Sequence, residues 1–132
     1  MAQLLQAIVE FGPRLKRTPA ARLDDVTEWM AGRTGLLASQ VRMVLEEEHA
    51  CILFHSCRGT AVILPGIGTF APSVRRDGRL RIGYRAAPAL NRSINAPRAY
   101  HGALVNARNV GLDDAAYRAL WDAHHPDDPL EL

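Results

Sequence analysis

The chain has 132 residues, 48% of them apolar and 23% charged, with a net charge of +2. That length supports one domain of ordinary size and is too short for two independent cores. The mix is that of a globular protein, which excludes disorder and collagen-like structure, and the short apolar runs predict no transmembrane helix.

Met1-Ala2-Gln3-Leu4-Leu5 lacks both a basic n-region and a long apolar h-region, so no secretory leader is expected. Residues 3–11 read as a strand or a short helix ended by Gly12-Pro13. Thr18-Pro19 predicts an N-cap with proline at the first helical position, and Leu23, Val26 and Met30 follow at helical spacing until Gly32 and Gly35. A second helix is expected from its cap at Ser39 to Cys57. Its apolar residues, among them Val41, Val44, Leu45 and Ile52 with Met43, Leu53 and Phe54, fill more than one stripe. A helix apolar on two sides is buried on two sides, which in a small protein points to a dimer. Cys51 and Cys57 fall on different sides of this helix, so they read as free thiols in a reducing cytoplasm, used as packing residues.

Strand patterns follow Arg58-Gly59. Thr60 to Leu64 is β-branched and apolar, Pro65-Gly66 breaks it, and Ile67 to Val74 reads as the next strand. Asp77-Gly78 is the signal for a two-residue type I′ hairpin, which would place Arg76 opposite Arg79, Arg75 opposite Leu80 and Val74 opposite Arg81. Alternation then predicts Arg76, Arg79 and Arg81 on one face and Leu80, Ile82 and Tyr84 on the other. Pro88 to Asn95 reads as a short helix, Tyr100 to Val110 is ambiguous, and Asp113-Asp114 opens a final helix that His124-His125-Pro126 stops.

Charge is divided unevenly along the chain. Residues 58–108 hold nine arginines against the single acid Asp77, whereas residues 109–132 hold Arg118 against six acids. An arginine block beside an acidic tail suggests a face that binds a polyanion, and arginine suits phosphate. No nucleophile motif, Walker loop or dinucleotide fingerprint is present, and Gly66-Ile67-Gly68 reads as a tight connection between strands. His124, His125, Asp127 and Asp128 lack a metal-ligand spacing, and Glu46-Glu47-Glu48 reads as a solvated helix face. Trp29 and Trp121 are expected as core or interface anchors. The residues thus point to no enzyme, no cofactor and no metal site.

Leu36 to Phe70, LLASQVRMVLEEEHACILFHSCRGTAVILPGIGTF, resembles the HU/IHF family of bacterial histone-like DNA-binding proteins. Gly59 matches the family's helix stop, Val62 and Leu64 its strand, and Gly66, Gly68, Thr69 and Phe70 its Gly-aromatic-Gly-x-Phe turn, with Ile67 in place of the aromatic residue. Leu23 to Thr34 looks like the family's first helix, and Pro88-Ala89-Leu90 resembles its Pro-Ala-Phe segment. Arg75 matches an arginine at the base of the family's β-arm, and Arg81 falls on the returning strand. The long arm, whose proline wedges between base pairs, is replaced by a tight hairpin with no proline at its tip.

The resemblance implies an α+β fold: a helical hairpin under a three-stranded antiparallel sheet with a short basic β-hairpin, an intertwined homodimer, and an extra C-terminal helix. The expected organisation is a single HU-like domain with an N-terminal extension (1–20), a core (21–96) and a C-terminal extension (97–132). The expected function is sequence-tolerant, non-enzymatic binding of double-stranded DNA in the cytoplasmic nucleoid, with neither a membrane nor a small-molecule substrate as partner. Arg75, Arg76, Arg79 and Arg81 would contact phosphates and Arg58, Arg85 and Arg92 would extend the basic surface, while Gly66, Gly68 and Phe70 shape the turn. The alternative is an HU-like dimeric protein-interaction module that has lost DNA bending.

Overall fold

Glycine, proline and carboxylate punctuation sets where most elements begin and end in the structure, a computed structural model describing residues 3–130. Met1-Ala2, part of the segment expected to hold no leader, and Glu131-Leu132, at the end of the acidic tail, lie outside the described residues. The protein is mixed α+β. In chain order it has α1 (Leu4–Phe11), β1 (Arg14–Leu15), α2 (Leu23–Thr34), α3 (Ala38–Ser56), β2 (Val62–Leu64), β3 (Gly68–Val74), β4 (Leu80–Ala86), α4 (Pro88–Ile94), β5 (Leu104–Val105), a 3-10 turn (Ala107–Asn109) and α5 (Asp114–His124). None of its helices is long and apolar enough to cross a membrane among the described residues.

Two compact units divide the chain: residues 19–100, and residues 1–18 together with 101–132. The two segments read as separate extensions therefore pack with each other. In this terminal unit β1 pairs antiparallel with β5, Arg14 opposite Val105 and Leu15 opposite Leu104. Ala7 of α1 meets Tyr117 and Trp121 of α5 and Leu130 in a buried cluster, with Leu4, Phe11 and Leu112 around it. Asn106 and Asn109 donate side-chain N–H bonds to carbonyls of Glu10, Gly12 and Phe11, satisfying groups that the end of α1 leaves open. Asp113 caps α5 by accepting from the Ala116 N–H at 2.9 Å, and the Trp121 indole donates to the Asp128 carbonyl at 2.7 Å.

In the unit spanning residues 19–100, α2 and α3 form a helical hairpin and β2-β3-β4 an antiparallel sheet in that order. α2 begins at Leu23, not at Pro19, because the Arg22 N–H finds its acceptor in the Asp25 carboxylate at 2.9 Å. Gly32 lies inside α2, and Gly35 ends it with φ +76°. α3 starts one residue before Ser39, its N-terminus closed by the Leu37 N–H donating to Gln40 Oε1 at 2.9 Å. Arg42 of α3 pairs with Asp24 of α2.

Burial within this unit is sparse. Val41, 3% exposed, is its one buried apolar side chain. Trp29 is exposed with the Arg33 guanidinium over its ring, and Cys51 and Cys57 are exposed free thiols, not the packing residues expected. An open groove of about 640 Å³ lies between the end of α3 and the hairpin, lined mainly by Leu53, Pro72, Val74, Leu80 and Ile82, with Ser73 and Arg81 also contributing.

Candidate nucleic-acid interface

The β3–β4 hairpin carries most of the predicted site, and its register differs from the expected one. Val74 pairs with Leu80, Ser73 with Arg81, Pro72 with Ile82, Ala71 with Gly83, Phe70 with Tyr84 and Thr69 with Arg85. The loop therefore contains Arg76-Asp77-Gly78, not Asp77-Gly78 alone. The Gly78 N–H donates to the Arg75 carbonyl at 2.9 Å, Gly78 takes φ +87°, and the Arg75 N–H donates to the Arg79 carbonyl at 2.8 Å. This is a type I turn followed by a glycine bulge, the three-residue solution. Asp77 holds the turn by accepting from the Arg79 N–H at 3.0 Å.

A one-residue shift of pairing changes which residues share a face. Phe70, Pro72 and Val74 now stand across from Tyr84, Ile82 and Leu80, so one face is apolar along its whole length. The opposite face carries Thr69, Ala71, Ser73 and Arg75 on one strand and Arg79, Arg81, Gly83 and Arg85 on the other. Arg75 thus takes the ladder position expected for Arg76, which sits in the loop at the tip. Pro72 lies beyond the reach of β2, so its missing N–H breaks no ladder on that side.

The remaining predicted residues lie nearby in the chain. Arg58 is folded back, its guanidinium 3.7 Å above the Phe54 ring and donating to the Phe54 carbonyl at 2.9 Å. Arg92 is exposed on α4. All seven predicted arginines are exposed. Among the described residues the salt-bridge contacts are Arg42–Asp24 and His125–Glu10, and no hairpin guanidinium lies within salt-bridge distance of a carboxylate.

Glycines shape the base of the hairpin. Leu64-Pro65-Gly66-Ile67 is a turn closed by the Ile67 N–H donating to the Leu64 carbonyl at 3.0 Å, with proline second and Gly66 third at φ +78°. Gly68 has φ +154°, and a Cβ there would overlap the Arg85 carbonyl oxygen and the Tyr84 ring. Tyr84 donates its hydroxyl to the Ile67 carbonyl at 2.8 Å and packs on Phe70 with ring centroids 5.0 Å apart.

The histidines of the C-terminal segment have partners in their own unit. His125 stacks on Trp121 and lies 3.0 Å from Glu10, and His124 Nδ1 lies 2.8 Å from the Leu120 carbonyl. No family model matches this chain, and no curated protein is significantly similar to it.

Proposed function

We propose that this chain is a non-enzymatic, sequence-tolerant binder of double-stranded DNA, similar to the HU/IHF histone-like proteins, working as a homodimer in the nucleoid. The observation that carries the reading is the outward face of the hairpin, where Arg75, Arg79, Arg81 and Arg85 stand in rows with no acidic partner. Unpaired guanidiniums on one ribbon face suit phosphate oxygens, which fix a protein on a duplex without reading its sequence. Arg76 at the tip, with Arg58 and Arg92, widens the basic surface. The tip residues Arg76-Asp77-Gly78 include no apolar wedge, so this binding leaves base stacking intact.

Exposed apolar surfaces support the homodimer reading. Leu53, Val74, Leu80 and Ile82 line a groove that the single chain leaves open, and an equivalent surface of a second copy supplies the cover. α5 belongs to the terminal unit, outside the segment whose sequence resembles HU/IHF. The same groove favours the second reading, an interaction module, if the basic face proves inert.

Duplex affinity measured over a range of salt separates the two. A dimer making about six phosphate contacts gives a log–log slope near −5, from roughly −0.9 per contact. Replacing Arg79, Arg81 and Arg85 together by alanine flattens that slope and weakens unrelated sequences equally. Absence of duplex binding at low salt, or an unchanged slope in the folded triple variant, transfers support to the interaction module.

A further inference from the structure

Gly83 stands in the middle of β4, where a glycine weakens a strand because it has no side chain to pack. Nothing within the chain requires it. Its φ lies outside the positive region, and a Cβ there would meet nothing closer than the Ala71 carbonyl oxygen at 3.8 Å, an ordinary contact. Gly68, at the base of the same hairpin, is the opposite case, with both a positive φ and no room. A strand glycine with neither reason marks a bulge or the close approach of something from outside. The β3–β4 ladder runs without a bulge from Gly68 opposite Ala86 to Val74 opposite Leu80, which leaves close approach.

The surroundings of Gly83 say what approaches. With Ala71 across the ladder it floors an open hollow of about 450 Å³, bordered by Thr69, Tyr84 and Arg85. Arg81 and Arg85 flank Gly83 on β4, about 13 Å apart by strand rise, and Thr69 and Ser73 flank Ala71 on β3. The floor is bare, its border offers the Arg85 guanidinium and the Thr69 hydroxyl, and Arg81 and Ser73 come next along the strands on the same face.

We infer that this hollow seats one segment of a duplex sugar–phosphate backbone, with Gly83 and Ala71 setting how closely it approaches. The inference rests on the DNA-binding reading and deepens it. Arg85 and the Thr69 hydroxyl meet the phosphate oxygens at the border of the hollow, and Arg81 meets the neighbouring charge further along β4. A side chain on the floor would hold the backbone away from both arginines without removing any charge.

Gly83→Val and Ala71→Val test this by fluorescence anisotropy on a random-sequence duplex at low salt, with circular dichroism melts to establish folding. Gly32→Ala, in α2 with open space around it, is the control. Each floor variant is expected to bind about tenfold more weakly than the parent, the loss of a charge-assisted contact, while the control binds as the parent does. Should Gly83→Val not fold, Ala71→Val at its exposed position decides alone. Parental affinity in a folded floor variant overturns the seat and leaves DNA binding standing. A parent that binds no duplex overturns both.

Discussion

The smaller of the two units has a core and the larger does not. In the terminal unit, built from residues 1–18 and 101–132, Ala7, Tyr117, Trp121 and Leu130 are buried together. The unit of residues 19–100 buries Val41 alone among its apolar side chains, while Val74 and Leu80 on its hairpin are 66% and 77% exposed. Burial of apolar area is the main favourable term in folding, so this difference is what motivates the proposed homodimer. On the proposed homodimer reading, the apolar hairpin face and the groove beside α3 are where a second copy would supply that burial. By strand alternation the arginines stand on the opposite face, which the proposed function assigns to phosphate.

The largest expected effect comes from a charge in the groove. If the proposed homodimer covers Leu80, Leu80→Asp should abolish folding of residues 19–100 at micromolar concentration, because the interface would then bury an unpaired carboxylate. If Leu80 is solvated in solution, the change costs less than about 0.5 kcal/mol and circular dichroism melts will not move. Trp121→Ala attacks the other unit. Losing its packing in the small core should cost about 3–5 kcal/mol and expose the amides of α1 and α5 to hydrogen exchange. Protection in α3 should persist, and its loss would mean that the two units fold as one. A smaller effect, on the order of 2–3 kcal/mol, is expected for Gly68→Val, which places a β-branched side chain at φ +154° against the Arg85 carbonyl. An unaltered thermal midpoint in this variant would break the account of the hairpin base.

Elements were legible where a residue type has one local meaning. Gly12, Gly35, Pro65-Gly66, Pro88 and Asp113 all stand at boundaries that the sequence predicts. Asp77-Gly78 has two local meanings, since it suits both a two-residue turn and a type I turn with a glycine bulge. Packing across the strands decides between them: the shorter loop sets Val74 against Arg81, whereas the longer one sets it against Leu80. That choice moved Arg75 onto the basic face in place of Arg76. The start of α2 was missed for a similar reason, because Asp25 outcompetes Thr18-Pro19 as the capping signal. The pairing of β1 with β5 joins residues some ninety positions apart, and two-residue strands leave no periodic trace. Gly83 was visible in the sequence, but its significance depends on knowing what lies across the ladder.

The mass of the folded particle tests the comparison most directly. Size-exclusion chromatography with light scattering at micromolar concentration should give twice the 14.5 kDa chain mass, and dilution should produce dissociation together with loss of helical signal. A 14.5 kDa particle that keeps its secondary structure on dilution would contradict the account, because residues 19–100 would then fold without a second copy.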